Sequence, residues 1–274
     1  MGKKRTLTLA LMFFLSLLFP AHGEMTVERQ CGEDYFYSEK DQKNWVYHFV
    51  YAYPRMAGED YTAALINDTY ERALSEWRQL ALPMFANAPD MYYDGQNEVI
   101  HDFTVVCNNG VVLSVLQTRS QTRGSEGTLY VLEPLTFDVS GPYAGETLTL
   151  RGVTLLQGGV APEKLEEAQI EDYPALANIL SGSSTLMGEA LADRLYPEFL
   201  ALQEAGVLSP ALTREDYEAE FSPARDFYTN DENNLVFFFP PALMQSPSFQ
   251  PPVFSFTPEE LNALLSDACK TDKT

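Results

Sequence analysis

"VIHDFTVVCNNGVVLSVLQT", residues 99–118, sets two β-branched runs on either side of Asn109-Gly110. Asn and Gly accept the positive φ angles of a tight turn, so this stretch predicts an antiparallel hairpin. Alternation along its first strand places His101 on one face with Val99, Phe103, Val105 and Cys107. There His101 reads as a hydrogen-bonded core histidine, not a ligand or base, and Cys107 as a small buried hydrophobe.

On the N-terminal side, a polar lead-in (24–43) precedes "NWVYHFVYAYP" (44–54), whose aromatic and β-branched residues predict a strand ended by Pro54. The period then changes. In "GEDYTAALINDTYERALSEWRQLALP" (58–83), Ile66, Tyr70, Ala73, Leu74, Trp77, Leu80 and Ala81 fall at helical spacing. This predicts an amphipathic helix ended by Pro83, with Trp77 buried on its apolar stripe. On the C-terminal side, "TLYVLEPLTFDV" (128–139) and "ETLTLRGVTLL" (146–156) read as two more strands around the turn "SGPYAG".

The second half predicts helices at 185–206, kinked or divided by Pro197, and at 213–221. "RDFYTN" and "NLVFFFP" flank the polar "DENN" (231–234) as a second hairpin, which joins the first in one sheet. A C-terminal helix follows. Thr257 can cap it, Pro258 suits its first position, and Glu260 completes a capping box before Leu261, Leu264 and Leu265. The connector "PPALMQSPSFQPP" (240–252) holds five of the chain's 17 prolines. Proline fixes φ and removes donors, so this loop can be preorganised without sheet pairing. One reading makes Pro240, Pro241, Met244 and Phe249 a partner-binding surface. The other has the segment cross the end of the core, burying Leu243, Met244 and Phe249.

At the start of the chain, Lys3, Lys4 and Arg5 precede the apolar run 6–19, and Ala21 and Gly23 are small. This predicts a secretory signal cleaved after Gly23, because 14 apolar residues fall short of the ~20 a membrane span needs. The product is then secreted or extracytoplasmic. Losing residues 1–23 removes three cations and no acids, taking the formal charge from −21 to −24. That balance excludes nucleic acid as a natural partner and favours a cationic protein, although acidity can also serve solubility alone. Cys31, Cys107 and Cys269 form no disulfide framework, since at most one bridge is possible.

Catalytic signatures are absent. Residues 24–274 hold only His48 and His101, with no His-Glu-x-x-His or Cys-x-x-Cys, no Gly-x-Ser-x-Gly or Ser-x-x-Lys, and no glycine-rich phosphate loop. The acidic runs at 163–172 and 214–220 lack the alternating ligands and central glycine of a calcium loop. Neither a metal nor another cofactor is expected. The many acids leave paired carboxylates open as glycan chemistry. Asn67-Asp68-Thr69 is a formal glycosylation sequon, but it lies mid-helix.

In order, "FVYAYPRMAG" (49–58), "YTAALINDTYERALSEW" (61–77), "FTVVCNNGVVLSVLQTRSQ" (103–121), "TFDVSGPYAGETLTLRGV" (136–153), "FYTNDENNLVFFFPPAL" (227–243) and "FSFTPEELNALL" (254–265) resemble the RsiV/PdaC-like extracytoplasmic module. That module occurs in a lysozyme-sensing bacterial anti-sigma factor and beside peptidoglycan deacetylase domains. Relatives carry Gly-Gly-Ala-His after the hairpin where this chain has Arg123-Gly124-Ser125-Glu126-Gly127, and an aromatic where it has Pro241.

The resemblance implies an α+β fold: a mainly antiparallel sheet packed against a long N-terminal helix, then a helical second half ending in a hairpin and C-terminal helix. It divides the chain into a PdaC-like subdomain (44–156), an RsiV-like subdomain (157–266) and a tail (267–274). It implies an exported, non-catalytic binding module of the bacterial cell envelope, with lysozyme or another cationic wall-active protein as partner. The alternatives are an enzyme or enzyme accessory acting on wall glycan, and a structural envelope protein.

Overall fold

The computed structural model describes residues 23–37, 45–86, 97–123, 128–140, 143–157, 184–246 and 250–271. The signal segment, the 163–172 acidic run and Phe249 lie outside the described residues. The fold is α+β. It comprises strands β1 (Val27–Tyr37) and β2 (Trp45–Met56), helix α1 (Tyr61–Ala86), and strands β3 (Asn97–Asn108), β4 (Val112–Arg123) and β5 (Thr128–Asp138). Helices α2 (Leu150–Gln157), α3 (Ser184–Glu204) and α4 (Arg214–Glu220), strands β6 (Phe227–Thr229), β7 (Leu235–Phe238) and β8 (Val253–Phe256), and helix α5 (Pro258–Thr271) complete it.

The first five strands form one sheet in sequence order. It is mixed: β2 and β3 run parallel, and the other pairs are antiparallel. α1 is the reason, since a helical crossover returns the chain to the end it left. The long helix is therefore not N-terminal, because β1, formed by part of the expected lead-in, and β2 both precede it. β6, β7 and β8 make a separate antiparallel sheet, so the two hairpins do not share a sheet as expected.

Proline is less disruptive than the sequence suggests. β2 continues through Pro54 to Met56, because its pairing with β3 covers only Tyr47–Tyr51 and Pro54 faces β1 alone. A missing donor is tolerated where a strand has a free edge. α1 runs past Pro83 to Ala86, and α3 is undivided across Pro197. In α3 the flanking Leu195 and Phe199 are fully buried, and that packing offsets one lost hydrogen bond.

The first hairpin forms with a difference. Gly110 has φ +79°, but Asn109 does not share the positive region. Asn109 instead accepts from Val111 N and Val112 N through its side-chain oxygen, closing a three-residue loop. A bulge between Val105 and Cys107 then changes which residues face which side. Val105 opposes Val115 but Cys107 opposes Ser114, so Cys107 lies on the face opposite Val105. There it is buried with Val112 and Leu156, and burial pushes its thiol pKa up to about 12, which leaves it unreactive. Cys31 is exposed and also free.

After β5 the expected strand at 146–156 is reduced to a single bridge, Thr147 to Phe137, and the chain turns into α2. Leu150 and Val153 of this helix are buried in a core with α3, α4, β7 and α5. Spacing of three places both on one helical face, a period that the run of β-branched and leucine residues concealed.

Two main cores result. One lies between α1 and the large sheet, built on Met56, Ala63, Ile66, Tyr70, Leu113, Val115 and Phe137. The other is aromatic: Phe199, Tyr217, Phe221, Phe239 and Phe254 have ring centroids 4.8–6.1 Å apart in successive contacts. Asn67 joins α1 to β2, accepting from Met56 N at 2.7 Å and donating to Met56 O at 3.0 Å. Its amide serves the fold.

Helix starts follow the sequence. α5 has the expected box, with Thr257 N donating to Glu260 and Glu260 N to Thr257 Oγ1. α4 has the same device, with Thr213 and Asp216 as partners. Thr213→Ala should lower stability by about 1 kcal/mol while Thr213→Ser changes little. Paired urea titrations check this.

Candidate functional site

The proline-rich connector is defined by backbone contacts with another loop. Pro240 precedes a turn of 3-10 helix, Pro241–Leu243, and the chain then pairs with residues 207–209. Ser209 N donates to Leu243 O, and Gln245 N to Val207 O. Leu243 is fully buried, Met244 packs against the aromatic core, and Pro240 and Pro241 are half-buried. The stretch 240–244 thus crosses the end of the core, leaving parts of both prolines and Met244 accessible.

The sequence did not single out the cleft beneath α1. The sheet face that α1 covers is apolar near the 109–111 loop, where Leu113, Val115, Val105 and Phe137 lie. Farther along it becomes polar. Gln117 stands between Phe103 and Glu133, and Arg119 lies directly across from His101. α1 sets Tyr70, Leu74 and Trp77 over this region, one per turn. A cavity of about 60 Å³ remains, bordered by Tyr51, Tyr53, Tyr70, Trp77, His101 and Gln117, with Asp102 and Glu133 also lining it.

Trp77 is half-buried, not buried as its helical position predicts. The Arg119 guanidinium lies 4.6 Å from its ring centre, His101 approaches edge-on at 4.9 Å, and Phe49 stacks at 6.2 Å. Arg119 is what a purely apolar stripe would not anticipate. His101 faces the core as expected but is not hydrogen-bonded through Nε2, which is buried without a partner. Burial, with a smaller contribution from Arg119, lowers its pKa to about 4, so the ring is neutral near pH 7.

Two other polar atoms here are unpaired. Tyr70 is 2% exposed, and its hydroxyl has no hydrogen bond. Its pKa is raised by burial, with a smaller opposing contribution from Gln117. Arg119 Nε is likewise buried and unpaired, while its Nη2 lies 3.5 Å from Glu133. A sequence signal existed: alternation in "SVLQTRSQT" carries Gln117 and Arg119 onto the same face as Val115, an apolar face turning polar.

On the other face of the sheet, His48 lies 3.0 Å from Glu98 and 3.3 Å from Glu33, its ring stacked on Tyr35 at 4.2 Å. An open depression of about 610 Å³ between α3 and α4 is bordered by Glu189, Asp193 and Glu218. Its cation, Arg214, is already held by Asp193 and Glu218. Among the described residues no group of three His, Cys, Asp or Glu is placed to hold a metal ion, and no helix is long and apolar enough to cross a membrane.

No family model matches the chain, and no curated protein does. Solved structures that resemble it include a member of the DUF3298 family from Bacteroides fragilis, 14% identical, with TM-score 0.46 over 91% of this chain and 99% of that one. A DUF3298 family protein from Pseudomonas aeruginosa is 11% identical, with TM-score 0.45 over 89% and 95% of the two chains.

Proposed function

We propose that this chain is an exported, non-catalytic binding module of the bacterial cell envelope, of the RsiV/PdaC-like kind, and that its partner is a cationic protein such as lysozyme. The observation that carries this reading is charge. The chain bears −21, or −24 once residues 1–23 are removed with their three cations. A field of that sign draws a cationic protein in and repels anionic polymers and membranes. The acids between α3 and α4 suit such a partner, since Arg214 there is already engaged. The accessible parts of Pro240, Pro241 and Met244, with Phe249, supply the short-range apolar contact.

Long-range attraction and short-range contact separate kinetically. Raising salt from about 0.01 M to 0.15 M shortens the screening length from ~30 to ~8 Å. Surface-based kinetics of residues 24–274 against a cationic lysozyme should show the association rate falling at least about tenfold over that range. The dissociation rate should change less. Met244→Ala with Phe249→Ala should chiefly raise the dissociation rate. No saturable binding at low salt would reject the partner class. Unchanged kinetics in the folded double variant would reject only the connector.

A further inference from the structure

We propose that the cleft beneath α1 is a binding site for a neutral saccharide, a second site independent of the contact with a cationic protein. Two of the residues that line it carry a buried polar atom without a partner, Tyr70 Oη and His101 Nε2. A buried polar group without a partner is costly, and two beside one cavity mark a place shaped for a polar guest.

Charge narrows what that guest is. Asp102 and Glu133 line the cleft, and the chain as a whole is strongly acidic, which disfavours an anion. The Arg119 guanidinium over Trp77 already holds the cation position on that ring, which disfavours a second cation. Hydrogen-bond chemistry narrows it further. The Tyr70 hydroxyl can both donate and accept, and neutral His101 presents one role or the other by tautomer. A hydroxyl group both donates and accepts, so adjacent hydroxyls can meet such a mixed set. The ring edges of Tyr51, Tyr53 and Trp77 at the rim add apolar aromatic surface against which the C–H groups of a sugar pack.

Size sets the depth of entry. About 60 Å³ is room for a hydroxyl or hydroxymethyl group but not for a whole ring. The saccharide therefore inserts one edge, and its ring rests on the aromatic rim.

The test uses the chain's two tryptophans, Trp45 and Trp77. In a Trp45→Phe background of residues 24–274, Trp77 is the sole indole and reports the cleft directly. Titration with glucose and N-acetylglucosamine should give a saturable change in its fluorescence at millimolar concentration, and glucuronate should give at least tenfold weaker binding. Tyr70→Phe in the same background keeps the ring and removes the hydroxyl, and should weaken the neutral sugars about tenfold or more. Thermal melting shows that this variant is folded. No saturable response to either neutral sugar, or equal affinity with Tyr70→Phe, overturns the proposal and assigns the unpaired atoms to ordered water. A glucuronate affinity equal to that of glucose overturns the assignment to a neutral ligand.

Discussion

Phe239→Ala is expected to lower the stability of the fold by about 3–5 kcal/mol, the range for a fully buried phenylalanine whose site cannot collapse. Phe239 is completely buried. Its ring contacts Phe254 at 4.8 Å, Phe221 at 5.3 Å, Tyr217 at 5.7 Å and Phe199 at 6.1 Å. These partners come from β8, from α4 with its C-terminal cap and from α3, so three elements would have to move together to fill the void. Domains commonly have only ~5–15 kcal/mol in hand. The variant should therefore unfold at much lower urea, and Phe239→Leu should recover most of the loss. A near wild-type midpoint for Phe239→Ala would mean that the aromatic core is not shared in this way.

The second large effect concerns acid. His101 has a folded-state pKa of about 4 against an ordinary 6.5. The unfolded chain takes up this proton as pH falls through 6.5, but the folded chain does not until about 4. The contribution is thus fully present above pH 6.5, is lost between 6.5 and 4, and is flat below. Two and a half units correspond to about 3 kcal/mol. His101→Phe keeps an aromatic ring beside Phe49 and Trp77 and removes the titration. Between pH 7 and 4 the urea midpoint should fall less for the variant than for wild type, with acidic side chains contributing equally to both. Parallel curves for the two proteins would show that His101 is not protected from protonation.

Much of the secondary structure could be read from local chemistry. The hairpin at 99–118, the amphipathic helix and the capped C-terminal helix each depend on residues within a few positions of one another. What could not be read depends on distant partners. Whether Pro54 ends a strand turns on how far β3 extends beside it, and whether Pro197 divides α3 turns on what buries Leu195 and Phe199. The parallel pairing of β2 with β3 has no local signature. β8 was hidden in the proline-rich stretch because "VFSF" is only four residues long and finds its ladder on β7. The connector was legible as a rigid loop, but its backbone pairing with 207–209 was not. The cleft was the least visible feature. Its polar atoms come from α1, β3 and β4, and only the register shows that Arg119 lies across from His101.

β1 forms one end of the large sheet, and its exposed residues include Glu28, Arg29 and Glu33. An outermost strand with open backbone groups is a template on which another copy can add a strand, the first step toward aggregation. Here the template repels itself. A second copy approaching this strand brings one chain at −21 against another. The charge proposed to attract a foreign partner thus also guards the sheet against its own copies, and so favours keeping the protein dispersed at high concentration.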